Sequence, residues 1–294
     1  MRLAEQYFRA VVMRQWSLNP VMRRIVLGGP ELAGYRSRGV ADEWFRFLFP
    51  ADPGGPEVSP VLVGDHWQLG EPEPVSRWYT VRRWDAEHNE LTVDVVVHGH
   101  GVATQWAAGV SAGDEVVISS PAGRYGPPPE VDWELIVADL TGLPAAGRII
   151  SELPAGRRAH AILEVPNEDC VLELESRADL QVSWIFNPSP DVIPSALNLA
   201  TRSVSLPAGG GYVWMAGEAA CSRDIRRYFR HELGWPSSRY DIVGYWRPHA
   251  EAYLKRYSAI EDEVAKIYSE SYSVGNDMED AVDQVFEVLE AHGL

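Results

Sequence analysis

Three short stretches of this 294-residue chain carry side chains suited to a phosphorylated, planar ligand. The first is Arg77-Trp78-Tyr79-Thr80, which sets a cation, two aromatic rings and a hydroxyl in four consecutive positions. On an extended strand alternate residues share a face, so Arg77 and Tyr79 are expected to point the same way. The second runs from His98 to Trp106, HGHGVATQW. Its glycines let backbone N–H groups approach an anion, a helix starting there offers its positive end to phosphate, and Thr104 adds a hydroxyl. His98 and His100 by themselves fit a surface turn or a metal pair, yet no third ligand stands nearby at metal spacing. The third is a pair of loops, Asp139-Leu140-Thr141-Gly142-Leu143-Pro144 and Met215-Ala216-Gly217-Glu218, each at the end of a short apolar run. Thr141-Gly142 ahead of a helix can hold phosphates. No G-x-G-x-x-G occurs, which argues against an ordinary dehydrogenase. No Ser/His/Asp or Cys/His arrangement suggests a nucleophile, so no catalytic acid, base or metal ligand is assigned.

The elements that must position these residues change character along the chain. Segments 7–16, 21–27, 43–49, 78–84, 91–97 and 114–119 read as short strands separated by turn residues, the pattern of a sandwich or small barrel. Gly123 to Pro129, GRYGPPP, is the clearest linker. Beyond it, strands at 135–138, 160–164, 170–173, 181–185, 212–216 and 240–244 alternate with helices at 145–153 and 222–233, which implies a parallel sheet. Ser222 is the expected N-cap of the second helix, with Gly234 past its end. Gly209-Gly210-Gly211 reads as a flexible loop. The acidic tail predicts helices at 251–269 and 278–292, with Val282, Val285, Phe286 and Leu289 on one face, packing over the sheet. The expected fold is therefore α+β with two domains: an antiparallel barrel over 1–127, an α/β parallel-sheet domain over 128–249, and a helical extension over 250–294.

A formal charge of −16 disfavours nucleic acid and anionic membrane surfaces as partners. Only two cysteines occur, without a CxxC, which suits a reducing compartment. No apolar run approaches the roughly 20 residues needed to span a bilayer, and residues 1–14 lack a signal-peptide core. The cytoplasm is the expected location.

The order of the motifs fits a flavin barrel followed by a nicotinamide-binding sheet. A flavin requires a cation at its diphosphate, an aromatic neighbour and a polar group near the atom that receives hydride. At this point the sequence resembles the siderophore-interacting proteins, the NAD(P)H-dependent ferric siderophore reductases of the ferredoxin-reductase type. The matching stretches are SRWYTVRRWD (Ser76 to Asp85), DVVVHGHGVATQWA (Asp94 to Ala107), AGDEVVISSPAGRY (Ala112 to Tyr125), ADLTGLPA (Ala138 to Ala145), WMAGEAACSRDIRRYF (Trp214 to Phe229) and GYWRPH (Gly244 to His249). Departures from the family pattern are Val102, Ser120, Leu140 and Gly142.

The resemblance implies FAD as cofactor and NADH or NADPH as electron donor. It implies that Arg77, Tyr79 and Thr80 hold the isoalloxazine and ribityl part, and that His98, Gly101, Ala103, Thr104 and Trp106 line the phosphates and adenosine. Asp139, Thr141, Gly217 and Glu218 would belong to the nicotinamide site, with Arg148, Arg177 and Arg223 open as grips for a 2′-phosphate. An anionic ferric siderophore needs cations, for which Arg124, Arg247 and Arg46 are the candidates. Other readings remain: a generic flavin or electron-transfer reductase, a non-catalytic intracellular siderophore-binding flavoprotein, or a scaffold without cofactor. A tail helix that covers the flavin is a further expectation. The oligomeric state is not legible.

Overall fold

The computed structural model describes residues 5–52, 55, 57–64, 66–97, 101–190, 192–274 and 278–294. The first half is an antiparallel sheet. Its strands are β1 (Tyr7–Asn19), β2 (Met22–Gly28), β3 (Trp44–Phe49), β6 (Val75–Thr80), β7 (Arg83–Asp85), β8 (Glu90–Val96) and β9 (Glu115–Ser119), in the order β6-β3-β9-β1-β2-β8-β7. A separate small hairpin joins β4 (Val61–Val63) to β5 (His66–Gln68). At the start of β1, buried and half-buried residues alternate, so one face lies inside and the other meets water. The inner face collects Ala10, Val12, Ile25, Leu27, Phe45, Phe47, Val93 and Ile118. β6 also lies against β8, which rolls the sheet into a barrel. A short helix, α1 (Val102–Gly109), packs Ala103, Ala107 and Trp106 against this interior.

The second half is a five-stranded parallel sheet in the order β12-β11-β10-β13-β14. It is built from β10 (Trp133–Ala138), β11 (Arg158–Val165), β12 (Asp179–Phe186), β13 (Gly211–Glu218) and β14 (Tyr240–Trp246). All six residues of β10 are buried, as a central strand covered on both faces requires. Helix α2 (Leu143–Glu152) covers one face; α3 (Leu197–Ser203) and α4 (Ala219–Arg227) cover the other. The α2 face shares its core with barrel residues Met22 and Ala41, so the two halves meet through a continuous apolar contact. A buried ion pair fastens the junction. Arg148 of α2 reaches the fully buried Glu43 at 3.2 Å and donates to the Val81 carbonyl at 2.7 Å. Removing one partner of such a pair strands a buried charge, typically at a cost of about 3–5 kcal/mol.

Several local expectations differ from the structure. Residues 171–173 form no strand. A turn over Glu168–Cys170, capped by the Asn167 side chain, leads into irregular chain whose Leu172 and Leu174 still pack on the α2 side of the sheet. The helix expected at Ser222 starts at Ala219, and its N-cap is Glu218. Ser222 is instead buried and donates back to the Glu218 or Val243 carbonyl, the usual outlet for a mid-helix serine. After Arg227 the helix widens into a π-type turn over Tyr228–Glu232, ahead of Gly234. Gly211 is the first residue of β13 rather than part of a loop; a Cβ there would overlap the Trp133 ring.

The tail forms α5 (Ala250–Tyr257), α6 (Glu261–Val274) and α7 (Met278–Ala291). It does not cover the sheet. Ile260 and Val264 pack against Val285 and Leu289, while α7 docks on α4 and the following turn through charge. Arg226, only 6% exposed, is held by Glu279 at 2.7 Å and by Asp283, and Arg230 by Asp283 at 2.7 Å and by Asp280. Among the described residues no helix is long and apolar enough to cross a membrane.

Candidate functional site

A cavity of about 400 Å³ lies where the barrel meets the carboxyl edge of the parallel sheet, a size within the range of cofactor pockets. From β6 come Trp78, Tyr79 and Thr80; from α1, Thr104; from the linker, Arg124; from the loop after β10, Thr141; and from the end of β14, Tyr245 and Trp246. Segments as far apart in sequence as Trp78 and Trp246 thus converge because each ends at the junction of the two sheets.

The aromatic residues of β6 divide their work. Tyr79 packs edge-on against Phe47, with centroids 5.3 Å apart, and burial pushes its phenol up to about 12. Trp78 remains 61% exposed although it lines the cavity. A large aromatic left open beside a cavity is a natural platform for a planar ligand. Arg77 hydrogen-bonds only its neighbour's carbonyl, Ser76 O at 2.8 Å, and has no carboxylate partner among the described residues. Helix α1 begins at Val102, and the glycine at its N-cap, Gly101, supplies no side-chain hydrogen bond; the positive end of the helix faces an anion favourably.

The floor of the site rests on a buried carboxylate. Asp139 accepts hydrogen bonds from Thr141 N at 2.8 Å, Thr141 Oγ1 at 2.7 Å, Gly142 N at 3.3 Å and Trp246 Nε1 at 2.6 Å. Burial raises its pKa above the usual carboxylate range, opposed by these donors. It thereby fixes the loop after β10 and the indole at the end of β14. Gly142 is required here because a Cβ would overlap the Ala216 carbonyl oxygen, and a Cβ on Gly217 would stand 2.8 Å from Asp139 Oδ2. Beside them Tyr245 meets the Thr80 hydroxyl, and burial raises its phenol, helped by the charges of Asp42 and Asp241.

Arg124 sits on the cavity rim, 57% exposed, with Nη2 3.3 Å from Asp241 Oδ1. Asp42 Oδ1 accepts from the backbone N–H groups of Arg124 and Tyr125 at 2.8 and 2.9 Å. Asp241 is buried with both oxygens lacking hydrogen-bond partners. Burial is the main cause that lifts its pKa to about 6; Arg124 opposes the rise and Asp42 adds to it.

Of the residues expected from sequence, Tyr79, Thr80, Thr104, Arg124 and Thr141 line one cavity. Arg77 stands beside it on β6 and Gly101 caps α1. Ala103 and Trp106 face the barrel core, the Trp106 ring tilted against Phe47 and Phe49. Asp139 and Glu218 line a second cavity at the strand ends. Arg46 pairs with Glu5 and lies over the Trp78 ring at 5.4 Å, and Arg247 stacks on Tyr253 of the tail at 3.4 Å. His98 falls outside the described residues. No tail residue beyond Pro248 lines either cavity among the described residues, so the helices do not cover the site. Sequence reasoning missed the partnership of Trp246 with Asp139 and of Asp241 with Arg124. The only trace of either was the aromatic pair inside Gly244 to His249.

Residues 11–125 match the family model described as the siderophore-interacting FAD-binding domain, and residues 131–249 the model described as siderophore-interacting protein. The chain belongs to the siderophore-interacting protein family. A siderophore utilization protein of known structure from T. fusca is 32% identical, with a TM-score of 0.74 over 84% of this chain and 95% of its own. An NADPH-dependent ferric-chelate reductase of Escherichia coli is 29% identical over 80% of this chain and 91% of its own length. The ferric vibriobactin reductase ViuB of Vibrio cholerae is 27% identical over 82% and 90%. The barrel is thus an FAD-binding domain. Its open Arg77, exposed Trp78 and uncapped α1 fit a flavin dinucleotide.

Proposed function

We propose that this protein is a cytoplasmic reductase of ferric siderophores that draws electrons from NADH or NADPH through FAD. One observation carries the reading: the strand Arg77–Thr80 and the carboxyl edge of the parallel sheet open into the same cavity, with the cation of Arg124 at its rim. Relatives named as ferric-chelate and ferric vibriobactin reductases support it.

Arg77 would hold the diphosphate, with the positive end of α1 beside it. Trp78 and Tyr79 would take the planar ring, and Thr80 with Tyr245 would offer hydroxyls at its polar edge. When bound, FAD accepts two electrons together as hydride and releases them singly. One NAD(P)H therefore balances two ferric ions, each reduced to Fe(II). Hard anionic oxygen ligands bind Fe(II) far more weakly than Fe(III), so reduction releases the metal without a catalytic acid or base. Arg124 would steer the anionic chelate to this rim of an otherwise repelling surface, with Arg46 and Arg247 as outlying cations. Asp139 and Trp246 would keep the nicotinamide-side loop in one conformation.

An anaerobic spectral titration tests the reading. The flavin band is expected to bleach with NADH or NADPH and return when a ferric hydroxamate is added, as Fe(II) appears in a colorimetric trap. A flavin that stays oxidised with both donors would refute nicotinamide-dependent reduction and favour a siderophore-binding flavoprotein.

A further inference from the structure

The carboxyl ends of β10, β11 and β13 surround a second cavity of about 220 Å³, lined by Asp139, Glu164 and Glu218 together with Val192, Ile193 and Trp246. The strand order β12-β11-β10-β13-β14 reverses direction between β10 and β13, and open α/β sheets bind their ligands at that switch point. Where such a sheet carries the G-x-G-x-x-G fingerprint, absent here, the end of the second strand decides how the adenosine ribose is read, and the corresponding strand end lines the cavity in this sheet. A carboxylate about 20 residues past the first loop takes a free 2′-hydroxyl, whereas a cation accommodates a 2′-phosphate. Glu164 stands one residue before the end of β11, 22 residues beyond Gly142.

Among the described residues, every charge that lines this cavity is negative. The three carboxylates also occupy the N–H groups that an incoming phosphate would seek. Glu218 caps α4 through Ala220 N and Cys221 N at 2.9 and 2.8 Å. Asp139 holds Thr141 N and Gly142 N. Glu164 Oε2 accepts from Ala196 N at 2.9 Å and Ser195 Oγ at 3.2 Å. Its Oε1 accepts only a long 3.4 Å bond from Asn187 Nδ2, which leaves room for a hydroxyl donor.

Among the described residues no Lys or Arg lines the cavity to offset this. Between Arg158 and Arg202 the sequence holds a single Lys or Arg, Arg177, and it lies in the loop entering β12, at the amino end of the sheet. Arg148 is committed to Glu43 and Glu152, and Arg223 lies over Phe286 and bonds the Leu294 carbonyl. None of the three arginines that sequence left open as phosphate grips reaches the strand ends.

The geometry points to NADH, not NADPH, as the electron donor, with Glu164 as the residue that accepts the ribose hydroxyl and rejects a 2′-phosphate. The inference rests on the proposed nicotinamide-dependent reduction. A 2′-phosphate adds nearly two negative charges to a cavity that already holds three carboxylates, and like charges so placed are repelled rather than merely unbound.

The test uses the full FAD-loaded chain. Calorimetric titration with NAD⁺ and NADP⁺ is expected to give at least tenfold tighter binding of NAD⁺, and anaerobic bleaching at limiting donor is expected to be at least tenfold faster with NADH. Val192→Arg, at a position 82% exposed on the cavity wall, is expected to tighten NADP⁺ binding at least fivefold. Glu164→Gln should narrow the same ratio by removing one charge. Equal or tighter binding of NADP⁺ by the unaltered protein would overturn the inference and leave nicotinamide-dependent reduction intact. Absence of binding and bleaching with both nucleotides would overturn the two together.

Discussion

Replacing Asp241 by Asn is expected to stabilise the protein at neutral pH. The Asp241 side chain is 5% exposed, neither oxygen has a hydrogen-bond donor, and Asp42 adds a like charge nearby. Burial, reinforced by Asp42 and opposed by Arg124, lifts the carboxyl from an ordinary 3.8 to about 6. A rise of that size corresponds to about 3 kcal/mol between the two protonation states. The native state therefore holds the proton more tightly than the unfolded chain. The stabilisation from this group is fully present below pH 3.8 and is lost as pH rises through about 6. Asparagine keeps the shape and never ionises. Arg124 loses its partner, but it is more than half exposed and is readily hydrated, so that loss is at most about 1 kcal/mol. The net gain at pH 7.5 is about 1–3 kcal/mol, a rise in Tm of roughly 3–8 °C. Thermal unfolding followed by circular dichroism from pH 4 to 7.5 measures it, and the difference between variant and parent should shrink to nothing near pH 4. A variant that melts at or below the parent at pH 7.5 would refute the reasoning, as would a gain that does not change with pH.

Three further outcomes are expected. Arg77→Ala should weaken FAD binding by roughly 10- to 100-fold, the scale of a lost charge-assisted contact, read by equilibrium dialysis; the apoprotein's Tm should stay within about 2 °C because the side chain is exposed. Gly142→Ala should cost about 2–4 kcal/mol in urea unfolding, since the new methyl group collides with the backbone carbonyl of Ala216; unchanged stability would show that this loop is free to move. Burial pushes the Cys221 thiol up to about 12, and Cys170 is 1% exposed. Neither should react with iodoacetamide at pH 8 in the folded state, whereas both should react in 6 M guanidinium.

How much was legible depended on the distance over which each feature is specified. The strand β3 follows from local alternation, because a half-buried sheet writes its two faces into successive residues, and β1, β2, β8 and β9 follow from short apolar, β-branched runs between turn residues. Arg77 to Thr80 and Thr141 were legible because each motif is contiguous. The segment 170–173 misled because Val171 and Leu172 are apolar enough for a strand, yet they follow a turn set by Asn167 and leave no partner edge. Ser222 looked like a cap because serine favours caps; Glu218, four residues earlier, holds that position with two hydrogen bonds. The tail helices were recognised by period, but their destination was not. The apolar stripe satisfies itself between α6 and α7, and the arginines of α4 and of the turn after it decide where the pair docks.

By itself the sequence determined the order of a β-rich half and an α/β half, the acidic surface, and the short motifs whose residues touch one another along the chain. Periodicity and composition act within a few residues, so they reach that far and stop. Only the tertiary structure decided that Trp246 would bond Asp139 across 107 positions, that Asp241 would stand against Arg124, and that three carboxylates would share the strand-end cavity. Such contacts arise where unrelated loops meet at the ends of two packed sheets, and no local pattern of residues encodes which loops those are.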